Sequence, residues 1–413
     1  MTSYFSSDFF VGNRQKLRTM LSKGEIAIFT AAGTVQRTGD TTYPFSQDRN
    51  FWYLTGIAAP DVMLVMDADG EYLILPEGDA VREVFDGAIN PMELSARSGI
   101  ASVFSQREGW ARLKTQLQDA ATIATIVPGP VRHKQAAFYV NPARRQLVQR
   151  LRRIARNAQF TDVRSNLAKL RAIKQPCEQA AIAEAVGITT DTLNDIRSAR
   201  RLKSFQNEYE LEAAISNGLR SRGATGHAYS PIVASGHHAT TLHYVTNNGI
   251  VERNELIVVD VGAEVENYAA DITRTLSPTE PTKRQVAVLA AVQAVQQQAL
   301  GLLGPGVMLK DYEQAVAREM GKALVSLGLA TNKDDYDALR RYYPHATSHF
   351  LGLDVHDVGD YRAPLEPGMV LTCEPGLYIP EESIGVRLED DVLVTKTGIK
   401  NLSANCSYDA YVL

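Results

Sequence analysis

The sequence predicts an α+β protein in two parts: a smaller α/β N-terminal domain over residues 1–165, then a C-terminal domain over residues 166–413 with helices packed on a curved antiparallel sheet. Three observations point there. At 413 residues the chain is longer than one ordinary core supports, taking roughly 100 to 200 residues per domain. Its first third mixes short apolar runs with helical stretches. From about Asn166 the texture changes to long helical periods interleaved with strand pairs.

In the first part, "EIAIFTAA", "VMLVMDADGEYLILP" and "ATIATIVPG" read as strands, and "NRQKLRTMLSKG" and "RRQLVQRLRRIARNA" as helices. Asp67 to Gly70 divides the second run into two apolar segments and predicts a hairpin turn. In the second part, "QPCEQAAIAEAVGITTDTLNDIRSA", "TKRQVAVLAAVQAVQQQALGLLG" and "KDYEQAVAREMGKALVSLG" carry apolar residues three and four apart, and the last two stop at a glycine. The strand-like segments "SPIVASG", "ELIVVDVGAEVENYAADITRTL", "GMVLTCEPGLYI" and "GVRLEDDVLVT" form antiparallel hairpins in this reading.

A chain that is 45% hydrophobic and 22% charged has the composition of a soluble globular protein. With net charge -4 and no long Lys/Arg run it has no electrostatic footprint for nucleic acid or an anionic membrane, so small or neutral partners are expected. The N-terminus lacks a secretory pattern and no run approaches the roughly 18 apolar residues that span a bilayer, which predicts a cytoplasmic protein. Cys177, Cys373 and Cys406 are few and far apart, so reduced thiols are expected in place of a disulfide framework or a zinc ribbon.

The chemistry lies in acids and histidines. Seven of the eight histidines fall between His227 and His356, three of them in "HATSHFLGLDVHD". If the turn in "ELIVVDVGAEVENYAADITRTL" spans Glu264 to Asn267, Asp260 faces Asp271, and directly opposed side chains have Cβ atoms roughly 4.5 to 5.5 Å apart. Two carboxylates that close repel unless a proton or cation lies between them. Glu374 follows an apolar run, and Arg387 and Glu389 share a strand face by period-two alternation. Leu351 to His356 alternates like a strand with His356 on its polar side, and His345 and His349 have the spacing of one helix face. With Ala346 after His345 the pair is not HExxH.

Four acids embedded in apolar segments are costly without counter-charge. Carboxylates with one imidazole suit divalent Mn, Co, Fe or Zn, and two such ions would balance four carboxylates while holding a bridging hydroxide between Lewis acids. Metal-assisted hydrolysis is the reaction class expected.

On Asp260, Asp271, His349, Glu374 and Glu389, in order over 130 residues, the chain resembles the aminopeptidase P and prolidase family of pita-bread metallopeptidases. The stretch "TGDTTYPFSQDRNFWYLTG" is similar to that family's N-terminal domain. The resemblance implies that those five residues hold two divalent ions, with manganese first and Co²⁺, Zn²⁺ or Fe²⁺ as alternatives. It implies that His243 and His356 face the substrate, that Glu374 is also the acid/base, and that His345, Tyr378 and Arg387 bind substrate beyond the scissile bond. The reaction implied is hydrolysis between an N-terminal residue and a following proline, in a homodimer or homotetramer whose partners are peptides with proline second, without nucleic acid or membrane.

A prolidase restricted to Xaa-Pro dipeptides is the alternative; Ser348 before His349 resembles aminopeptidase P more, since glycine is common there in prolidases. A non-catalytic binding protein on the same fold would show gaps in the ligand set, and none is found. Ala346, His237 and His238 depart from the family pattern without touching a ligand. Asp354 and Asp357 are expected to do no chemistry.

Overall fold

The computed structural model describes residues 3–118, 120–133 and 138–412. The chain divides into two compact units, Met1–Leu170 and Arg171–Leu413.

The first unit is built on a six-stranded mixed sheet. In spatial order the strands are Gln159–Asp162, Thr122–Thr125, Ile26–Thr30, Met63–Met66, Glu71–Ile74 and Val103–Phe104. The first three run parallel, and Met63–Met66 is antiparallel to both neighbours. The turn expected at Asp67 to Gly70 forms because the Asp67 carboxylate accepts the N–H groups of Asp69 and Gly70, each at 2.9 Å. Helices Gln106–Gln118 and Ala143–Ile154 cover the sheet through Trp110, Leu113, Leu147 and Leu151, which join Ile28, Val65 and Ile123 in one core. This is the α/β organisation read from the sequence.

The second unit is α+β, and every strand pairing in its named sheets is antiparallel. Helix Lys283–Leu302 starts at a capping box of Thr282 and Gln285, and helix Leu309–Ser326 is followed by Gly328 at φ 73°. Their apolar stripes meet: Val288, Val292, Val295 and Ala299 share a core with Tyr312, Val316, Met320 and Leu324. Leu324 is fully buried there. Leu324→Ala is expected to cost about 2–5 kcal/mol, read as a lower urea midpoint at unchanged slope. A cost under about 1 kcal/mol would mean that the helix pair collapses into the space.

The structure corrects four local expectations. The central hairpin turns on two residues, not four: Glu266 and Asn267 both have positive φ, 45° and 71°, the backbone of a tight hairpin turn whose twist matches its strands. The register therefore shifts, and Asp260 faces Thr273, with Asp271 its diagonal neighbour on the same face. Gly262 lets the hairpin close, since a Cβ there would meet the Ala270 carbonyl at 1.8 Å. Second, Leu351 to His356 is not a strand. Pairing with strand Val370–Cys373 runs from His349 to Leu351, and the chain then bends, because Arg171 draws in the carboxylates of Asp354 and Asp357 at 2.7 and 2.5 Å. Third, helix Tyr336–Tyr342 ends before His345, so His345 and His349 share no helix. Fourth, Glu389 lies in the break between strands Ile384–Arg387 and Asp390–Val394, with its N–H on the Thr273 carbonyl at 3.0 Å.

Candidate metal centre

The acids and histidines singled out above all belong to the second unit. Asp260 lies on strand Ile257–Val261, and Asp271 immediately precedes strand Ile272–Leu276. Between their carboxylates stands the Tyr229 hydroxyl, hydrogen-bonded to Asp260 Oδ1 and 2.6 Å from Asp271 Oδ1. Burial and the charges of Asp260 and Asp271 push the Tyr229 hydroxyl well above its ordinary range, so it remains a proton donor. The Asp271 N–H donates to Asp391 Oδ2 at 3.0 Å, which fixes the backbone that presents the Asp271 side chain.

Donor atoms of Asp271, His349 and Glu389 lie within 4.8 Å of one another. His349 is oriented by its ring N–H: Nδ1 donates to the Phe350 carbonyl at 3.0 Å, which leaves Nε2 facing Asp271 Oδ2 and Glu374 Oε1, each 3.5 Å away. Burial opposes a charge on this ring, but Asp271 and Glu374 outweigh it and raise the imidazole to about 9. Glu374 is held by its N–H on the Thr347 carbonyl at 2.8 Å. Burial, with Asp271 and Asp260 adding repulsion, pushes its carboxyl up to about 8. Glu389 and Asp260 are likewise raised, first by burial and then by their acidic neighbours.

Arg387 opposes this negative charge. It donates to Asp260 Oδ2 at 2.6 Å, to the Tyr378 hydroxyl at 2.9 Å and to Thr273 Oγ1 at 3.1 Å, and Thr273 in turn donates to Glu389 Oε2 at 2.6 Å. Tyr378 passes its proton toward His345 Nε2 at 2.9 Å, while His345 Nδ1 donates to the Ala346 carbonyl at 2.8 Å. That chain defines one neutral tautomer of His345. Burial, with Arg387 and His243 nearby, pushes the ring down to about 4. His356 lies edge-on to His349, centroids 4.2 Å apart, and burial and His349 lower its basicity. His243 is exposed on the loop after Gly236–Thr240, close enough to lower the basicity of both His345 and His356.

The donor set fits divalent cations. Asp260, Asp271 and Glu389 are buried and Glu374 nearly so, and among the described residues Arg387 is the one permanent cation paired with any of these four carboxylates. Divalent ions resolve that conflict, and carboxylates with one imidazole and no cysteine suit Mn, Co, Fe or Zn. Asp357 is an anchor: fully buried, it pairs with Arg171 at 2.5 Å and Lys174 at 3.1 Å, one residue from His356.

Sequence reading missed Tyr229, Thr273 and Asp391. Each is an ordinary polar residue in its own segment, and only the strand register brings it to the acids. Removing the Tyr229 hydroxyl leaves two carboxylates facing each other, so Tyr229→Phe is expected to weaken Mn²⁺ binding about 10–100-fold by titration calorimetry. Unchanged affinity would show that the hydroxyl does not order the carboxylates.

Comparison with known proteins follows the same division of the chain. The family model described as metallopeptidase family M24 matches residues 180–396, and that of the aminopeptidase P N-terminal domain matches residues 10–125. The chain is 32% identical to Xaa-Pro aminopeptidase of Escherichia coli K12 over 98% of its own length and 96% of that protein's. It is 30% identical to human Xaa-Pro aminopeptidase 3, over 95% and 82% of the two chains. Zn-substituted E. coli aminopeptidase P in complex with product superposes with TM-score 0.87 at 30% identity, covering 99% of this chain and 97% of that one.

Proposed function

Because the chain belongs to metallopeptidase family M24, with an aminopeptidase P N-terminal domain ahead of the peptidase domain, we propose that it is a metal-dependent Xaa-Pro aminopeptidase that releases the first residue of peptides with proline second. The observation that carries this reading is the convergence of four acids and His349 in one buried place, with Asp271, His349 and Glu389 donor atoms within 4.8 Å. In this proposal Asp260, Asp271, His349, Glu374 and Glu389 hold two divalent ions, manganese first, over the domain of residues 166–413. When bound, such ions supply Lewis acidity and an activated water at neutral pH.

The residues around them have distinct tasks. A bond to proline is a tertiary amide without an N–H, so recognition rests on ring shape and the free amino terminus, and the proline nitrogen leaves only after gaining a proton. Glu374 carries that proton. His243 and His356, at the rim, donate to the carbonyl oxygen as negative charge grows on it. Tyr378, Arg387 and His345 form one hydrogen-bonded chain that holds the substrate beyond the scissile bond.

Among the described residues no helix is long and apolar enough to cross a membrane. The three cysteines, few and far apart in the sequence, support a reducing, cytoplasmic location. Homodimeric or homotetrameric assembly is expected and is read by light scattering. The deciding experiment compares an Xaa-Pro dipeptide with an Xaa-Pro-Xaa tripeptide on dialysed protein with added Mn²⁺. Tripeptide cleavage is expected. Cleavage of the dipeptide alone would make the chain a prolidase, and inactivity with well below one equivalent of metal bound would indicate a binding protein.

A further inference from the structure

The buried carboxylate of Glu208 is not used by the chemistry above. It stands at the first turn of helix Glu208–Ser221, is fully shielded from solvent, and takes up four donors. Oε1 accepts from Ser235 N–H at 2.8 Å and His238 Nδ1 at 2.9 Å; Oε2 accepts from the Tyr244 hydroxyl at 2.8 Å and Gly249 N–H at 2.6 Å. These donors come from one segment of chain. Ser235 ends strand Ile232–Ser235, Gly249 lies where the chain rejoins the Glu208 backbone, and Tyr244 is the residue after His243.

A single side chain thus ties both ends and the middle of the loop that carries His243. The packing admits little slack. A Cβ on Gly249 would meet the His238 ring at 2.5 Å and Glu208 Oε2 at 2.8 Å, and His238 stacks on Tyr244 with centroids 4.2 Å apart. A Cβ on Gly385, in the strand that carries Arg387, would meet the Ala239 carbonyl at 2.1 Å, so the loop also rests on the wall of the site.

We propose that Glu208 is a positioning residue for His243: by gathering Ser235, His238, Tyr244 and Gly249 on one carboxylate, it fixes the height of the His243 loop over the metal centre. This rests on the reading that His243 faces the substrate. A charged acceptor shared by four donors is among the stronger polar anchors a loop can have, and misplacing a reacting group by about 1 Å can cost about 100-fold in rate.

The test uses the full-length, metal-loaded enzyme and an Xaa-Pro-Xaa tripeptide. Glu208→Gln keeps size but turns one oxygen into an N–H₂ that faces N–H donors; Tyr244→Phe removes only the hydroxyl beside His243. Each is expected to lower kcat about 10-fold or more with little change in bound metal. In a His243→Ala background the same changes should add less than about 2-fold, because Glu208 acts through His243. A full additional loss in that background overturns the proposal, as does normal turnover of both variants beside an impaired His243→Ala. Normal turnover of His243→Ala itself overturns the substrate-facing reading and the proposal with it. Should Glu208→Gln fail to fold, Tyr244→Phe alone decides.

Discussion

Asp260→Asn is expected to lower kcat by at least about 1000-fold, about 4 kcal/mol of transition-state stabilisation, while leaving the fold intact. The substitution preserves shape and removes one charge. That charge lies where three things meet: Tyr229 on one oxygen, Arg387 on the other, and Asp271 on the same face of the hairpin. An amide has one acceptor and one donor group, so either Arg387 or Tyr229 is left facing an N–H₂ in a buried place, and the site loses a quarter of its carboxylate charge toward divalent ions. Turnover of an Xaa-Pro-Xaa tripeptide under saturating Mn²⁺, bound metal by elemental analysis and far-UV circular dichroism separate the possibilities. Near-normal turnover would contradict the assignment of Asp260 to the metal centre.

Removing the metal should make stability fall as pH rises from about 6.5 to about 9, and saturating Mn²⁺ should reverse this. Glu374 releases its proton near 4.5 when unfolded and at about 8 in the metal-free fold. Between those values the folded state holds the extra proton, so stability is lost as pH rises. His349, raised from 6.5 to about 9, acts in the same direction: its charged ring favours the fold fully below 6.5, and the gain disappears as pH climbs through 9. Glu389 and Asp260, raised by burial and their acidic neighbours, act in the same direction above their unfolded values. His345, pushed down to about 4, works the other way, but below 6.5. Bound cations favour the carboxylates ionised and the imidazole neutral, so the metal-induced rise in Tm should grow with pH. At about 2–4 °C per kcal/mol for a unit of this size, the change is readable by differential scanning fluorimetry. A metal-free Tm that is flat or rises over this window would sink the idea.

What could be read from the sequence follows from how local each cause is. Asp260, Asp271, Glu374 and Glu389 were visible because an acid inside an apolar strand run has few reasons to be there, and the long helices were visible because their periodicity extends over many turns. The hairpin register was not, because it depends on Glu266 taking a left-handed conformation that glutamate rarely adopts. Leu351 to His356 alternates like a strand, yet its shape is decided by Arg171 and Lys174, more than 180 residues earlier in the chain. Tyr229 and Thr273 carry no signal of their own; they matter through the partners that tertiary structure gives them.

The buried pair of Arg274 and Asp390 ties the proposed ligands to a part of the chain that follows them in sequence. Arg274 grips the carbonyls of Thr273 and Glu389 at 2.8 and 2.6 Å, and also that of Cys406 at 2.8 Å, while Asn401 and Tyr408 close around Asp390. Asp391, which steadies Asp271, leans on Ser403. Residues between Asn401 and Tyr408 thus hold two of the five proposed metal ligands in place, Glu389 through Arg274 and Asp271 through Asp391. The metal centre therefore rests on a stretch of chain that supplies none of its proposed ligands.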